Sequence, residues 1–394
     1  MLMTKAFKRL ALSQIMADLA DTALTVLIIA NIYQLSDSLL ASSVIPILMG
    51  SSSFLTTFLA PLISKKIPLN QVMVATQAGK TLILALLTLS LAFYPKLPVI
   101  LIYLLVLVIS LLDGVERPVT VTLMAHYTTD LTKANSVLTV CDETVALLGW
   151  GFGGVLYTSL GIHWGLLVTL IIFILATSVT CLLPRVAFTS FEAENNWQLL
   201  FKGWQLLLKQ PRLKLLVTLN LIETFANTIW VSSIILVFVT KILHEDQAYW
   251  GYANMTYSFG IILGGLIIYR RADALVTRKV FAIILALLLT TLFNIVILKI
   301  PVPSVFLACS VLIGIVSQLK EVPEAVLYQE SVAKELLVDL SSVFEVISTL
   351  SFAGLLFLMS WVTESFGIGV SFGLASLSLL VEAFLAFKYR KYLA

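Results

Sequence analysis

The sequence predicts an all-α membrane protein of twelve transmembrane helices, arranged as two pseudo-symmetric lobes of six helices around a central cavity. Three observations predict this fold: a very apolar composition, twelve long apolar runs, and an internal repeat. Hydrophobic residues make up 59% of the 394 positions and charged residues 12%, about half the charged share of a soluble domain. Such a surface suits a bilayer rather than water.

The apolar runs are long enough to cross a bilayer, which requires roughly 20 residues of helix for about 30 Å of hydrocarbon. They fall at residues 10–33, 41–63, 71–94, 98–126, 135–159, 163–183, 213–241, 248–268, 279–299, 303–328, 340–362 and 367–388. Lysine and arginine concentrate in alternate loops. By the positive-inside rule, this asymmetry predicts that both termini are cytoplasmic.

A polar stretch near the middle divides the chain. We predict an N-terminal lobe at 1–184, a cytoplasmic linker with an amphipathic helix at 185–212, and a C-terminal lobe at 213–394. A fixed offset of 205 residues relates the halves, pairing Asp18 with Glu223, Glu116 with Glu321, Pro118 with Pro323, and Lys65-Lys66 with Arg270-Arg271. Parallel repeats of this kind are typical of two-lobed transporters, which bind substrate near the bilayer midplane.

The first helix carries a polar stripe. Gln14, Asp18, Asp21 and Thr25 follow one another at spacings of four, three and four, and therefore share one helix face. Charges inside a membrane are costly and usually face a cavity or a partner. The stripe predicts a cavity lining; the alternative is that its carboxylates are bonded to neighbouring helices.

Acidic residues are frequent in the first half. The acidic residues are Asp18, Asp21, Asp113, Glu116, Asp142 and Glu143, and the basic residue set beside them is Arg117. They cannot all remain ionised in a low-dielectric space. We therefore expect proton-coupling groups among Asp18, Asp21, Glu116, Asp142 and Glu143, with Asp21, Glu116 or Asp142 carrying the proton and Arg117 as the switchable partner. Asp113 and Arg117 are spaced to pair locally. No acidic partner for Lys80 can be assigned from the sequence.

The seventh predicted helix carries a second stripe, formed by Asn220, Glu223, Asn227 and Trp230. A buried acid beside an aromatic wall suits a cationic or amphipathic ligand. Alternatively, Trp230 faces lipid only. Further along the chain, Lys320, Glu321 and Glu324 indicate either a gate or a solvated helix end with a local ion pair. Glu345 and Glu382 are expected to reach toward the interfaces.

Gating and helix packing are assigned to a small set of glycines and loop cations. Gly149 and Gly153 share a face with Asp142, and Gly154 follows directly. Small residues let helices approach closely, which fits either a moving seam or tight packing. Lys65, Lys66 and Arg270 occupy matching loops of the two halves and complete the gating candidates, together with Glu321 and Glu324.

Other functional classes lack their motifs. Gly79-Lys80-Thr81 imitates a nucleotide-binding loop, but Val74 stands where a glycine is needed. His126, His163 and His244 are scattered, and the three cysteines are widely spaced, so no metal site or disulfide framework is indicated. We expect no catalytic residue, no cofactor, no metal and no nucleic-acid partner.

Several segments resemble the major facilitator superfamily, and within it the bacterial macrolide and multidrug exporters. They are IYQLSDSLLASSVIPIL after the first helix, ERPVTVTLMAHYTTDLTKANSV at the end of the fourth, the glycines of the fifth, and LLLKQPRLK in the middle. The signature loop departs from the family, with Ala60, Ser64 and Lys65 where Gly and Asp-Arg are usual. Tyr269 replaces the second Asp, and Trp150 replaces the antiporter-motif proline.

This resemblance implies a proton-coupled antiporter that exports hydrophobic or amphipathic small molecules by alternating access. Its partners would be the lipid bilayer, a small-molecule substrate and protons. It implies a monomer in a bacterial plasma membrane and not an enzyme. Two alternatives stay open: a dedicated exporter of one peptide, lipid or metabolite, and a membrane receptor or immunity protein that binds without transport.

Overall fold

In a computed structural model, every element of the described residues is helical. The structure describes residues 3–36, 39–94, 97–186, 196–230, 232–245, 247–276 and 278–393. The helices are α1 Lys5–Ser36, α2 Leu39–Ser64, α3 Leu69–Phe93, α4 Val99–Tyr127, α5 Leu131–Thr180, α6 Asn196–Lys209, α7 Pro211–Asn227, α8 Ser232–Lys241, α9 Gln247–Val276, α10 Lys279–Lys299, α11 Pro303–Gln329, α12 Leu337–Phe366, α13 Ile368–Lys388 and α14 Arg390–Leu393. Short 3-10 turns at Thr228–Trp230 and Lys334–Leu336 precede α8 and α12.

The predicted fold class is confirmed. Within the described residues, nine helices are long and apolar enough to cross a membrane. The described part of each predicted run is largely helical, and the run 213–241 is divided between α7 and α8. The long α5 holds two of these runs, separated by Gly161 at φ 72°. Gly367, at φ 85°, separates α12 from α13 in the same way. Glycine suits both turns because a Cβ disfavours positive φ.

Prolines mark the helix starts that the sequence implies. Pro68 and Pro98 immediately precede α3 and α4, and α7 begins at Pro211. A first-turn proline loses no intrahelical hydrogen bond, because its missing N–H has no partner there. The repeat-related prolines Pro118 and Pro323 both lie inside helices, α4 and α11.

The chain folds into two compact units. Unit 1 contains 1–129, 144–204 and 334–345; unit 2 contains 130–143, 205–333 and 346–394. The predicted division at residues 184 and 213 is untested and stays a prediction, and residues 187–195 of the predicted linker lie outside the described residues. Packing thus groups 334–345 with most of the first half, and 130–143 with most of the second.

Candidate functional site: two buried ion clusters

Unit 1 contains a buried ammonium group surrounded by three carboxylates, which we call the Lys80 cluster. Lys80 Nζ lies 2.8 Å from Asp21 Oδ2, 3.0 Å from Asp113 Oδ1 and 2.9 Å from Glu116 Oε2. The ammonium donates hydrogen bonds to Asp21 and Asp113 and forms an ion pair with Glu116. Only 1% of the Lys80 side chain is exposed.

Three helices build the Lys80 cluster. Asp21 comes from α1, Lys80 from α3, and Asp113 and Glu116 from adjacent turns of α4. Gln77, one turn before Lys80, donates a hydrogen bond to Glu116. The side chain of Glu116 is 4% exposed, whereas those of Asp21 and Asp113 are 19% and 40% exposed. The cluster is therefore closed at Glu116 and open at the two aspartates.

Arg117 does not have the partner that the sequence suggests. Its Nη1 lies 3.1 Å from Glu345 Oε1, and its side chain is 75% exposed. The expected local pair with Asp113 is wrong, because Asp113 contacts Lys80 instead. The cation at Asp21 and Glu116 is likewise Lys80 and not Arg117. The expectation that Glu345 reaches toward an interface gives way to its pairing with Arg117.

The polar stripe of α1 is half-buried along its length. Gln14, Asp18, Asp21 and Thr25 all have intermediate exposure. The Thr25 hydroxyl donates to the backbone oxygen of Asp21 at 2.8 Å, so its donor is satisfied within α1. Within the stripe, Asp21 is the residue that contacts Lys80.

Unit 2 contains a second group of one lysine and three acidic residues, which we call the Lys320 cluster. Lys320 Nζ lies 2.8 Å from Glu324 Oε2 and 3.1 Å from Glu382 Oε1, and it also pairs with Glu223. These side chains come from α7, α11 and α13. Lys320 is 3% exposed and Glu382 fully buried. The expectation that Glu382 reaches an interface is therefore wrong, and the Lys320–Glu324 pair is buried rather than solvated.

A cavity of about 200 Å³ adjoins the Lys320 cluster inside unit 2. Its lining includes Glu223, Asn227 and Trp230 from the predicted stripe, with Lys320 and Tyr257. The Trp230 ring stacks on Tyr257, with centroids 6.1 Å apart and planes 13° apart. Asn220 is not among the lining residues; its Oδ1 accepts a hydrogen bond from Ser348 at 3.0 Å.

The remaining acidic candidates lie outside both clusters. Glu321 is exposed and accepts a hydrogen bond from Gln318 at 2.7 Å. Asp142 and Glu143 belong to unit 2, so grouping them with the acids of the first half is wrong. The start of α5 packs with unit 2, where the Glu143 side chain is hydrogen-bonded to Ser258.

Of the loop cations, Lys65 forms a buried contact. Its Nζ lies 3.0 Å from Asp339 Oδ2 and donates to the backbone oxygen of Glu335 at 3.2 Å. The Lys65 side chain is 5% exposed and that of Asp339 fully buried. Lys66 and Arg270 are exposed. Lys65 thus holds the start of α12, a contact that its loop position in the sequence does not reveal.

The glycines of α5 differ in their surroundings. A Cβ at Gly149 would lie 2.9 Å from Thr22 Cγ2, and one at Gly153 would lie 2.8 Å from Val26 Cβ. Both glycines therefore allow α5 to approach α1, the helix that carries Asp21. Gly154 faces open space, with nothing within 4 Å of such a Cβ.

Two curated relatives come from Bacillus subtilis. The chain is 27% identical over 279 residues to the uncharacterized MFS-type transporter YfmI, covering 69% of this chain and 68% of the relative. It is 23% identical over 381 residues to the uncharacterized MFS-type transporter YjbB, covering 95% and 93%. No protein-family model matches. The relatives support the MFS-type transporter family.

Solved transporter structures share the fold of this chain. The human organic anion transporter MFSD10 superposes with a TM-score of 0.76 at 15% identity, covering 97% of this chain and 98% of that chain. The Escherichia coli fucose:proton symporter FucP gives 0.76 at 13%, covering 97% of each. A bacterial homologue of the iron transporter ferroportin, in its outward-facing state, gives 0.75 at 12%, covering 98% and 100%.

These comparisons bear directly on the expected class of protein. Relatives and structural neighbours alike are transporters. The chain is therefore not an enzyme, and a secondary transporter is supported. These likenesses do not show membership of the macrolide and multidrug subgroup. They also do not show the coupling ion or the direction of transport.

Proposed function

We propose that this transporter couples proton movement to the export of hydrophobic or amphipathic small molecules. The observation that carries the proposal is the Lys80 cluster, in which one buried ammonium faces three carboxylates. With all four groups ionised, the cluster holds an excess of two negative charges. Such an excess is unfavourable in a low-dielectric interior, and taking up a proton relieves it.

The geometry favours Asp21 and Glu116 as the proton-binding groups, with Lys80 as their shared partner. Protonation of either acid weakens one contact to Lys80 and leaves the ammonium to the other carboxylates. The partly exposed Asp21 and Asp113 offer a route for protons from water into the cluster. A charge that crosses 100 mV of membrane potential contributes about 2.3 kcal/mol, enough to bias a two-state transport cycle.

The substrate class and the direction rest on other features. A carboxylate beside an aromatic wall in the unit 2 cavity suits a cationic or amphipathic compound. Export follows the resemblance to bacterial exporters. The proposal places a monomer in a bacterial plasma membrane with both termini in the cytoplasm, in accord with the lysine and arginine distribution. Gating is assigned to Lys65, which holds the start of α12.

Everted membrane vesicles test this proposal. We expect a respiration-generated proton gradient to drive accumulation of lipophilic cationic dyes, and a protonophore to abolish it. Asp21→Asn and Glu116→Gln should each reduce the accumulation at least tenfold. Asp130→Asn serves as the matched control, because Asp130 pairs with Lys133 at the start of α5, away from the Lys80 cluster.

The outcomes separate the alternatives. Gradient-driven flux of a single compound from a broad panel would favour a dedicated exporter. Binding without flux would favour a receptor or immunity protein. Undiminished gradient-driven accumulation in both Lys80-cluster variants would contradict the assignment of the coupled proton.

A further inference from the structure

The cavity beside the Lys320 cluster has the attributes of a binding site for one class of ligand. We propose that it binds a small organic cation, an ammonium attached to a single aromatic or compact apolar group, and that this cation shares Glu223 with Lys320. The inference rests on the proposed function, since it names the substrate class, or the substrate head group, that the transporter takes.

Charge decides the sign of the ligand. Of the three acids around Lys320, only Glu223 lines the cavity, while Glu324 and Glu382 contact the ammonium without lining it. Lys320 keeps these two partners when Glu223 turns to a ligand. Glu223 presents its carboxylate to the cavity, and a carboxylate attracts a cation and repels an anion.

Aromatic rings supply the apolar part of the site. Tyr257, Trp230 and Phe306 form a stack in which Trp230 lies 6.1 Å from each neighbour, with planes 13° and 8° apart. Tyr257 and Trp230 border the cavity. Ring faces attract ammonium groups by cation–π interaction, and the rings offer dispersion contacts to the apolar part of such a ligand. Asn227 and Ser317, also in the lining, can accept hydrogen bonds.

Size limits the ligand. Sites for drug-sized molecules usually have volumes of about 300–1,000 Å³, and this cavity has about 200 Å³. A ring with an ammonium head group fits that volume, whereas a whole macrolide does not. A larger amphipathic cation could place only its head group here.

Equilibrium binding to the purified full-length transporter in detergent tests the inference without any gradient. The probe is radiolabelled benzyltrimethylammonium, competed with its neutral carbon isostere neopentylbenzene and with phenylacetate. We expect saturable binding of the cation, at least tenfold weaker competition by the neutral isostere, and no competition by the anion. Absence of saturable binding, or equal competition by the neutral compound, would overturn the proposal.

Variants locate the site. Glu223→Gln should weaken benzyltrimethylammonium binding at least tenfold, and Trp230→Leu about three- to tenfold. Glu330→Gln should leave it unchanged, because Glu330 pairs with Lys279 away from the cavity. If Glu223→Gln does not yield folded protein, Trp230→Leu and Tyr257→Leu carry the test. Binding unaffected in every folded cavity variant would place the cation elsewhere and refute the site.

The result is separable from the proton-coupling proposal. Gradient-driven dye efflux without benzyltrimethylammonium binding would contradict the proposed cation site and support the proposed proton-coupled export. Binding that depends on Glu223, in a protein without gradient-driven flux, would keep the site and remove the exporter.

Discussion

The Lys80 and Lys320 clusters have the same composition but differ in exposure. Each surrounds one buried ammonium with three carboxylates, and in each the lysine and its acids come from three helices in all. In the Lys80 cluster, Asp113 is 40% exposed. In the Lys320 cluster, the most exposed acid, Glu223, is 16% exposed and Glu382 is fully buried. The partly exposed cluster suits exchange of protons, and the enclosed one holds Lys320 and Glu223 beside a ligand cavity.

The internal repeat does not explain this likeness. At the offset of 205 residues, Lys80 corresponds to Leu285, and Lys320 corresponds to Val115. Glu116 joins the Lys80 cluster, whereas its equivalent Glu321 stands outside the Lys320 cluster. Two similar charge groups have therefore been built from non-equivalent positions. Similar composition need not mean a shared role.

Replacing either buried lysine should have the largest effect on folding free energy. The two losses show which cluster depends more on its ammonium group. Lys320→Met leaves three enclosed carboxylates without a cation, and we expect a loss of about 3–5 kcal/mol in folding free energy. Lys80→Met should cost less, because Asp21 and Asp113 are partly exposed. Apparent melting temperatures in detergent measure the order. Lys279→Met, which removes a surface pair with Glu330, is the control. A larger loss for Lys80→Met would reverse the comparison.

The Lys65–Asp339 pair contains one cation and one carboxylate, so it is a simpler buried ion pair with which the two clusters can be compared. Lys65→Met leaves the fully buried Asp339 without this cation, and we expect a loss of about 3–5 kcal/mol. The double variant Lys65→Met/Asp339→Leu should recover most of that loss, since an apolar pair can replace a buried ion pair. Thermal denaturation of both variants in detergent checks this. A double variant as unstable as the sum of its singles would show that the two residues act independently.

The repeat-related acids test whether membership of a cluster decides function. We expect Glu116→Gln to reduce gradient-driven flux at least tenfold, because Glu116 contacts Lys80. Glu321→Gln should reduce it less than threefold, because Glu321 is exposed and bonded to Gln318. Dye accumulation in everted vesicles, normalised to protein amount, provides the measurement. Equal losses would mean that repeat position outweighs contact with the lysine.

The smallest expected effect concerns the α1–α5 seam that supports Asp21 in the Lys80 cluster. The methyl group of Gly153→Ala would meet Val26 at 2.8 Å, and we expect a loss of about 1 kcal/mol from overpacking. Gly154→Ala, one residue away in open space, should be neutral or slightly stabilising. Melting temperatures of the two variants decide between them. Indistinguishable values would show that the seam relaxes freely.

Sequence reasoning predicts the helices well because bilayer thickness fixes the length of a span. It also places Asp21 and Glu223 correctly on polar stripes, since helical spacing determines which residues share a face. It does not reveal the partners of Lys80, because their meeting depends on how α1, α3 and α4 pack. Arg117 is given the wrong partner because a local spacing of four residues is only one of several available pairings.

One missed residue had a signal in the sequence. Glu382 lies six residues before the end of α13 at Lys388, too far inside a span to reach water easily. An acid inside a span calls for a buried cation, and Lys320 is a lysine of the same half that could supply it.

The membership of residues 334–345 in unit 1 has a consequence for recombination. If two homologous genes recombine at the central linker, the hybrid protein takes the residue at position 65 from one parent and the residue at position 339 from the other. Hybrids whose parents differ at these two positions would carry a mismatched buried charge, even with every helix intact. Exchange of the halves is therefore expected to succeed between parents that share this pair, or when codons 334–345 travel with the first half.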